Sequence, residues 1–197
     1  AMAKAKEEGT EVAKVIEYCR ANMNITLKDS ELENVAALKV AMKSLAEKYG
    51  CNAIAIQCWN ALQSEIGIMP CAANSLLNEE GLPVVCETDI HGAVTAVMAE
   101  AAGMDEARTF FADWTVRHPD NENGELLQHC GPWPISVAKE KPTIGYPLAF
   151  DYPGAVEAEA KHGDMTLFRF DGDNGEYSLL LGHAKGVDGP YTKGTYV

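Results

Sequence analysis

The sequence predicts an α/β protein: a parallel sheet with crossover helices, followed by a small, mostly antiparallel, barrel-like β domain. Helical and strand patterns alternate between residues 31 and 113, as crossover connections between parallel strands require. The strand patterns there are short and apolar on both faces, which suits strands covered by helices. Past Pro119 no helical stripe of useful length follows, prolines cluster up to residue 153, and paired strand patterns come next. At 197 residues the chain fits one large domain or two small ones, and we divide it into an α/β domain, 1–117, and a β domain, 118–197.

Each element follows from a local pattern. Residues 11–20 place Val12, Val15, Ile16 and Cys19 on one helical face. Ser30-Glu31-Leu32-Glu33 reads as a capping box, with Ser30 as the cap and Glu33 reaching back. Leu32, Val35, Ala36, Met42, Leu45, Ala46 and Tyr49 extend it as an apolar stripe that ends at Gly50. Residues 53–56 form the first buried strand. Pro70 opens a helix and Gly81 closes it. Residues 83–86 form the second strand, 92–102 a helix ended near Gly103, and 108–112 the third strand. Residues 165–170 and 177–181 pair across a five-residue connection, 171–175. That acidic connection lacks the later ligand positions of a calcium loop, which favours a hairpin. Thr195-Tyr196-Val197 lies within a strand pattern, as in a piece of a longer protein.

Composition excludes several classes of function. Residues 1–50 are balanced, with eight basic and eight acidic side chains, so the whole net charge of −13 lies beyond them. Such an acidic surface repels phosphate backbones and anionic lipid, which removes nucleic acid and membrane surfaces as partners. No apolar run approaches the roughly 20 residues of a membrane helix, and no secretory signal pattern occurs. The six cysteines, at 19, 51, 58, 71, 86 and 130, include no C-x-x-C pair. They read as reduced thiols of a cytoplasmic protein.

Ligands of open parallel sheets gather beyond the carboxyl ends of the strands. There the predicted strands lead to Trp59, to Glu87-Thr88-Asp89, and to Asp113-Trp114-Thr115. Glu87 and Asp113 are one strand–helix–strand unit apart, so neighbouring strands would bring them to one rim. Two carboxylates that close repel, and a divalent cation between them relieves the repulsion. The competing role is helix capping, open to Glu87 or Asp89 ahead of the helix near His91. His129 opens the β part in His129-Cys130-Gly131-Pro132, where an imidazole would overhang the rim or bridge the two domains. Cys86 beside Glu87 and Cys130 beside His129 are poor nucleophile–base pairs, because strand neighbours point to opposite faces. No glycine-rich phosphate loop is present.

Residues 84–92, VVCETDIHG, residues 111–115, FADWT, and His129-Cys130-Gly131 together resemble the C-terminal half of L-fucose isomerase-like proteins, and more distantly L-arabinose isomerases. The resemblance covers residues 30–197, and its most specific parts are E-x-D-x-x-G and FADWT. It implies that Glu87 and Asp113 are catalytic and bind a divalent metal: manganese first, with magnesium or cobalt as alternatives. It makes His129 a third ligand, by its distance after FADWT, and residues 1–117 part of the metal-binding domain. His129 and Trp59 are the expected sugar contacts, the indole offering an apolar face, with a tryptophan buried in the core as the competing reading of Trp59. It also implies a homo-oligomer when full length, and an isolated stretch that is not necessarily active, because the family's N-terminal domain and final histidine are missing.

The residues fit the chemistry so implied. An aldose–ketose isomerase moves a proton between C1 and C2 through an enediol, with one carboxylate as base. Two oxygens and an imidazole suit manganese or magnesium better than zinc or copper. The competing functions are a non-catalytic sugar-binding or regulatory relative, and a lyase or epimerase that passes through the same enediolate.

Overall fold

The structure is a computed structural model, and it describes residues 1–104, 107–148 and 151–197. Three helices come first: α1 (Met2–Glu8), α2 (Thr10–Asn22) and, after the short strand β1 (Asn24–Ile25), α3 (Asp29–Tyr49). Val12, Val15 and Cys19 form the buried face of α2, as their spacing predicts. The α3 stripe buries Leu32, Val35, Ala36, Met42 and Ala46, whereas Leu45 and Tyr49 stay exposed where the helix outruns the core. Its capping box sits earlier than Ser30: the Lys28 N–H donates to Glu31 Oε2 at 2.9 Å. Ser30 already lies inside the first turn, so its side chain is not the cap.

Next come β2 (Ile54–Ala55), α4 (Ala61–Ile66), α5 (Cys71–Glu79), β3 (Val84–Val85) and α6 (Ile90–Ala102). Strands β2 and β3 pair in parallel, Ile54 against Val84 and Ala55 against Val85. The predicted third parallel strand at 108–112 does not form. Its aromatic residues take tertiary contacts instead: Phe110 lies over Trp133 at 4.2 Å between centroids, and the Phe111 carbonyl accepts from Trp133 Nε1 at 2.8 Å. A strand begins only at β4 (Asp113–Arg117), antiparallel to β5 (Glu125–His129).

After a 3₁₀ turn (Ile135–Val137), the remaining strands are β6 (Thr143–Gly145), β7 (Ala155–Glu159), β8 (Gly163–Asp173), β9 (Glu176–Gly186) and β10 (Thr195–Tyr196). A six-stranded mixed sheet runs β1-β6-β7-β10-β5-β4. Among the described residues it keeps two edges, β1 and β4, so the barrel-like closure expected from the sequence is not formed. β8 and β9 pair over eleven residues each and continue through 171–173, leaving a two-residue turn, Asn174-Gly175. Both turn residues have positive φ, 51° and 84°, which matches the twist of a tight hairpin better than a five-residue loop. The main core lies between α1, α2, α3 and α5 and strands β1, β6 and β7. Among the described residues, no helix is long and apolar enough to cross a membrane.

Lys39 of α3 is 6% exposed and pairs with Glu80, which also accepts from Lys43 at 2.8 Å. Burial alone would raise the Glu80 pKa, but the two ammonium groups outweigh it and hold the carboxyl below its ordinary value. Glu80→Gln is expected to lower unfolding stability by about 2 kcal/mol near neutral pH, discounted for the half-exposed carboxylate. The folded pKa lies below the unfolded one, so this contribution is present above the unfolded carboxylate range, about pH 4, and disappears as pH falls through the folded value. Urea unfolding of both proteins should show the gap at neutral pH and its closure in acid.

Candidate functional site

Glu87 follows β3, Asp113 opens β4 and His129 closes β5, and the three side chains meet. His129 Nε2 lies 3.5 Å from Glu87 Oε1 and 4.0 Å from Asp113 Oδ2. One ligand atom from each residue lies within 4.8 Å of the other two. The imidazole is 5% exposed, while the two carboxylates are about half exposed, so the ring forms the floor and the acids line the mouth. The two acids meet although they come from different sheets. The expected pair of neighbouring parallel strands is replaced by the end of a parallel strand facing the start of an antiparallel one.

The turn between β3 and α6 aims Glu87. Glu87 and Thr88 both adopt left-handed backbone, φ 60° and 57°, which is rare for residues with a Cβ and a clear outlier for β-branched Thr. The Thr88 N–H donates to the Ile56 carbonyl at 3.0 Å, fixing the turn to the end of β2. Asp89 then caps α6, its Oδ1 accepting from the Gly92 N–H at 2.8 Å, and its Oδ2 pairs with Arg169 of β8. The capping role therefore belongs to Asp89 and leaves Glu87 to the site. A Cβ on Gly92 would lie 2.5 Å from Asp89 Oδ2, which explains the E-x-D-x-x-G spacing.

One buried helix fixes all three carriers. Asn78 of α5 accepts from the Val84 N–H at 2.8 Å, three residues before Glu87, and donates to the Pro132 carbonyl at 2.9 Å, three residues after His129. Ser75 donates to the Trp133 carbonyl, and Trp133 in turn holds Phe111, two residues before Asp113. A Cβ on Gly131 would fall 2.3 Å from Cys71 Cβ, so only glycine lets this segment lie against α5. From the other side, Thr195 Oγ1 donates to the His129 carbonyl at 2.7 Å, and the Phe111 ring meets the imidazole edge-on at 5.4 Å.

The electrostatics are uneven. His129 holds the Glu87 carboxyl below its ordinary pKa against the effect of burial, and a hydrogen bond from Trp59 acts in the same sense as His129. Burial raises Asp113, with Glu87 adding to the rise and His129 opposing it. For His129, burial works against the charge, but the Cys130 sulfur and the Glu87 carboxylate outweigh it and raise the pKa to about 10. The field that draws a proton to this ring also draws a cation. Ligand atoms around an ion with bonds of ~2.1 Å stand about 3 Å apart when adjacent and about 4 Å when opposed; the two separations from His129 fall in that range, and the acids lie within 4.8 Å of each other. The donor set of two oxygens and one nitrogen therefore fits a hard divalent cation. A second trio, Glu159, His162 and Asp188, fits less well, because Lys139 Nζ already lies 3.1 Å and 3.4 Å from its two acids.

The other histidines lie apart from the trio. His91 Nδ1 is 3.2 Å from Asp171 and its ring meets Phe170. His118 Nδ1 accepts from the Asp120 N–H, while His162 and His183 face Glu159 and Asp164. Trp59 is 42% exposed in the loop after β2 and reaches Glu87 rather than the core. Asn78, Trp133 and Arg169 escape the sequence reading. A polar residue inside an apolar helix, and an arginine on an alternating strand, are the faint signals that precede them.

No protein-family model matches the chain. It is 29% identical over 167 residues to the sulfoquinovose isomerase of Alkalicoccus urumqiensis, a match covering 82% of this chain and 37% of that protein. It is 28% identical over 172 residues to the sulfoquinovose isomerases of Priestia aryabhattai and Priestia megaterium, covering 83% of this chain and 37% of each. The chain thus spans about 37% of the length of these relatives. They are sugar isomerases, the broad class to which the motifs pointed.

Asn78→Leu is expected to lower the unfolding free energy by about 3 kcal/mol, because it strands buried backbone groups of β3 and of the segment after His129. Thr88→Gly is expected to raise it by about 0.5–1 kcal/mol, since glycine accepts the left-handed backbone without a Cβ clash. Denaturant unfolding monitored by circular dichroism checks both.

Proposed function

We propose that this chain carries the metal-binding and proton-transfer residues of an aldose–ketose sugar isomerase of the L-fucose isomerase-like type. The observation that carries the proposal is the meeting of Glu87, Asp113 and His129 at one mouth, within 4.8 Å of one another. The isomerase names of the three relatives support it. Sulfoquinovose, the sugar those relatives are named for, is the first substrate to test.

Glu87, Asp113 and His129 would hold a divalent cation, manganese in the first place. When bound, such an ion withdraws electrons from the sugar oxygens and offsets the negative charge that develops on them. The remaining work belongs to the chain. Glu87 and Asp113 are both open enough to reach a sugar, and one of them takes the proton from one carbon and returns it to its neighbour through the enediol. His129, buried on the floor, orients the acids and does not reach a substrate carbon. Trp59, half exposed beside Glu87, offers an indole face to the apolar side of the sugar ring and helps to fix that carboxylate. The backbone holds Glu87 in a strained turn, so its position is set before substrate arrives.

The test is turnover of the whole protein on sulfoquinovose and a panel of aldoses, after chelation and after manganese is restored. Activity should vanish on chelation and return with the metal. Glu87→Gln and Asp113→Asn should each lower kcat/KM by about 1,000-fold and manganese affinity by about 100-fold, with circular dichroism unchanged. Activity and affinity near wild type in both variants would remove these roles, and sugar binding without turnover would identify a non-catalytic relative.

A further inference from the structure

Beneath the candidate site lies a pair of thiols that the proposed reaction does not use. Cys71 opens α5 and Cys130 follows His129, 59 residues away in sequence, yet their sulfurs are 3.6 Å apart. Cys71 is 1% exposed and Cys130 half-buried. The backbones that carry them are in contact, since a Cβ on Gly131 would lie 2.7 Å from Cys71 Cα. Both carriers are also held from outside. The Ala72 N–H donates to Gly154 at 2.7 Å, and the Cys130 carbonyl accepts from Val156 at 3.2 Å.

We propose that Cys71 and Cys130 form a redox modification site: a dithiol that a hydroperoxide converts into a disulfide joining α5 to the segment that carries His129. Closing from 3.6 Å to the ~2.05 Å of a disulfide brings the two sulfurs together by about 1.5 Å. The steps balance. The Cys130 sulfur, its proton given to solvent, attacks one oxygen of the hydroperoxide. The O–O bond breaks, and the leaving oxygen departs with a proton as water or an alcohol. The resulting sulfenic acid is then attacked by the Cys71 sulfur. The S–S bond forms, the S–O bond breaks, and the hydroxyl leaves with the Cys71 proton as a second water. Two thiols are oxidised and one peroxide is reduced. Cys130 is the thiol an oxidant reaches first, and buried Cys71 is the one that resolves it before further oxidation. The cross-link fixes the residue next to His129, so the oxidised protein carries the imidazole on a shorter tether.

Reduced protein treated with hydrogen peroxide, alkylated with N-ethylmaleimide and mapped by mass spectrometry without reduction tests this, whether or not the site holds an ion. The expected product is a Cys71–Cys130 cross-linked peptide that dithiothreitol reverses. It should persist in Cys51→Ser and be lost in Cys130→Ser, a change at a half-buried position that keeps the α5 packing. In Cys71→Ser, if it folds, Cys130 should proceed to sulfinic acid. The proposal is overturned if wild-type Cys130 reaches sulfinic acid while Cys71 remains alkylatable. It is equally overturned if Cys58 and Cys86, or Cys51 between two molecules, cross-link ahead of this pair.

Discussion

The site depends on the polar side chains buried on α5. A helix that carries Asn74, Ser75 and Asn78 into the interior must find partners for them, because an unpaired amide in an apolar core is costly. Asn78 and Ser75 find them in the main chain of the segments that carry the three site residues. The hydrogen-bond requirement of a few side chains therefore becomes a positional constraint on Glu87, Asp113 and His129. A purely apolar helix would fill the core but would make none of these main-chain bonds.

Much of the fold is visible in the sequence because it follows from short-range rules. The stripes of α2 and α3, the parallel pair at Ile54–Ala55 and Val84–Val85, and the β8–β9 hairpin follow from periodicity and turn chemistry. The strand expected at 108–112 fails because its aromatic residues find better partners in Trp133, a long-range contact that no local pattern announces. The three site residues are legible for a different reason. Carboxylates at strand ends are unusual enough to stand out, His129 stands out by opening the β part, and the resemblance supplied its role. The backbone that aims them is not legible, since nothing in Glu87-Thr88 signals two successive left-handed residues without glycine.

That strain and the charge distribution serve one arrangement. The acids are held near each other against their repulsion by an imidazole drawn toward its charged form, which offsets their charge from the floor of the site. The second trio on the β side differs because a lysine already supplies that charge.

The long ribbon of β8 and β9 has a mechanical side. A two-stranded ribbon has little stability of its own, and Leu179, Leu180 and Leu181 stand out toward solvent. It is clasped at one flank, where Thr95 bonds the Phe170 main chain and Arg169 grips Asp89. Asp89 is two residues from Glu87, so this clasp ties the ribbon to the turn that aims the carboxylate. Leu180 and Leu179 lie directly across from Arg169 and Phe170, so a load on the leucines bears on the clasp itself and passes through Asp89 to the turn that aims Glu87.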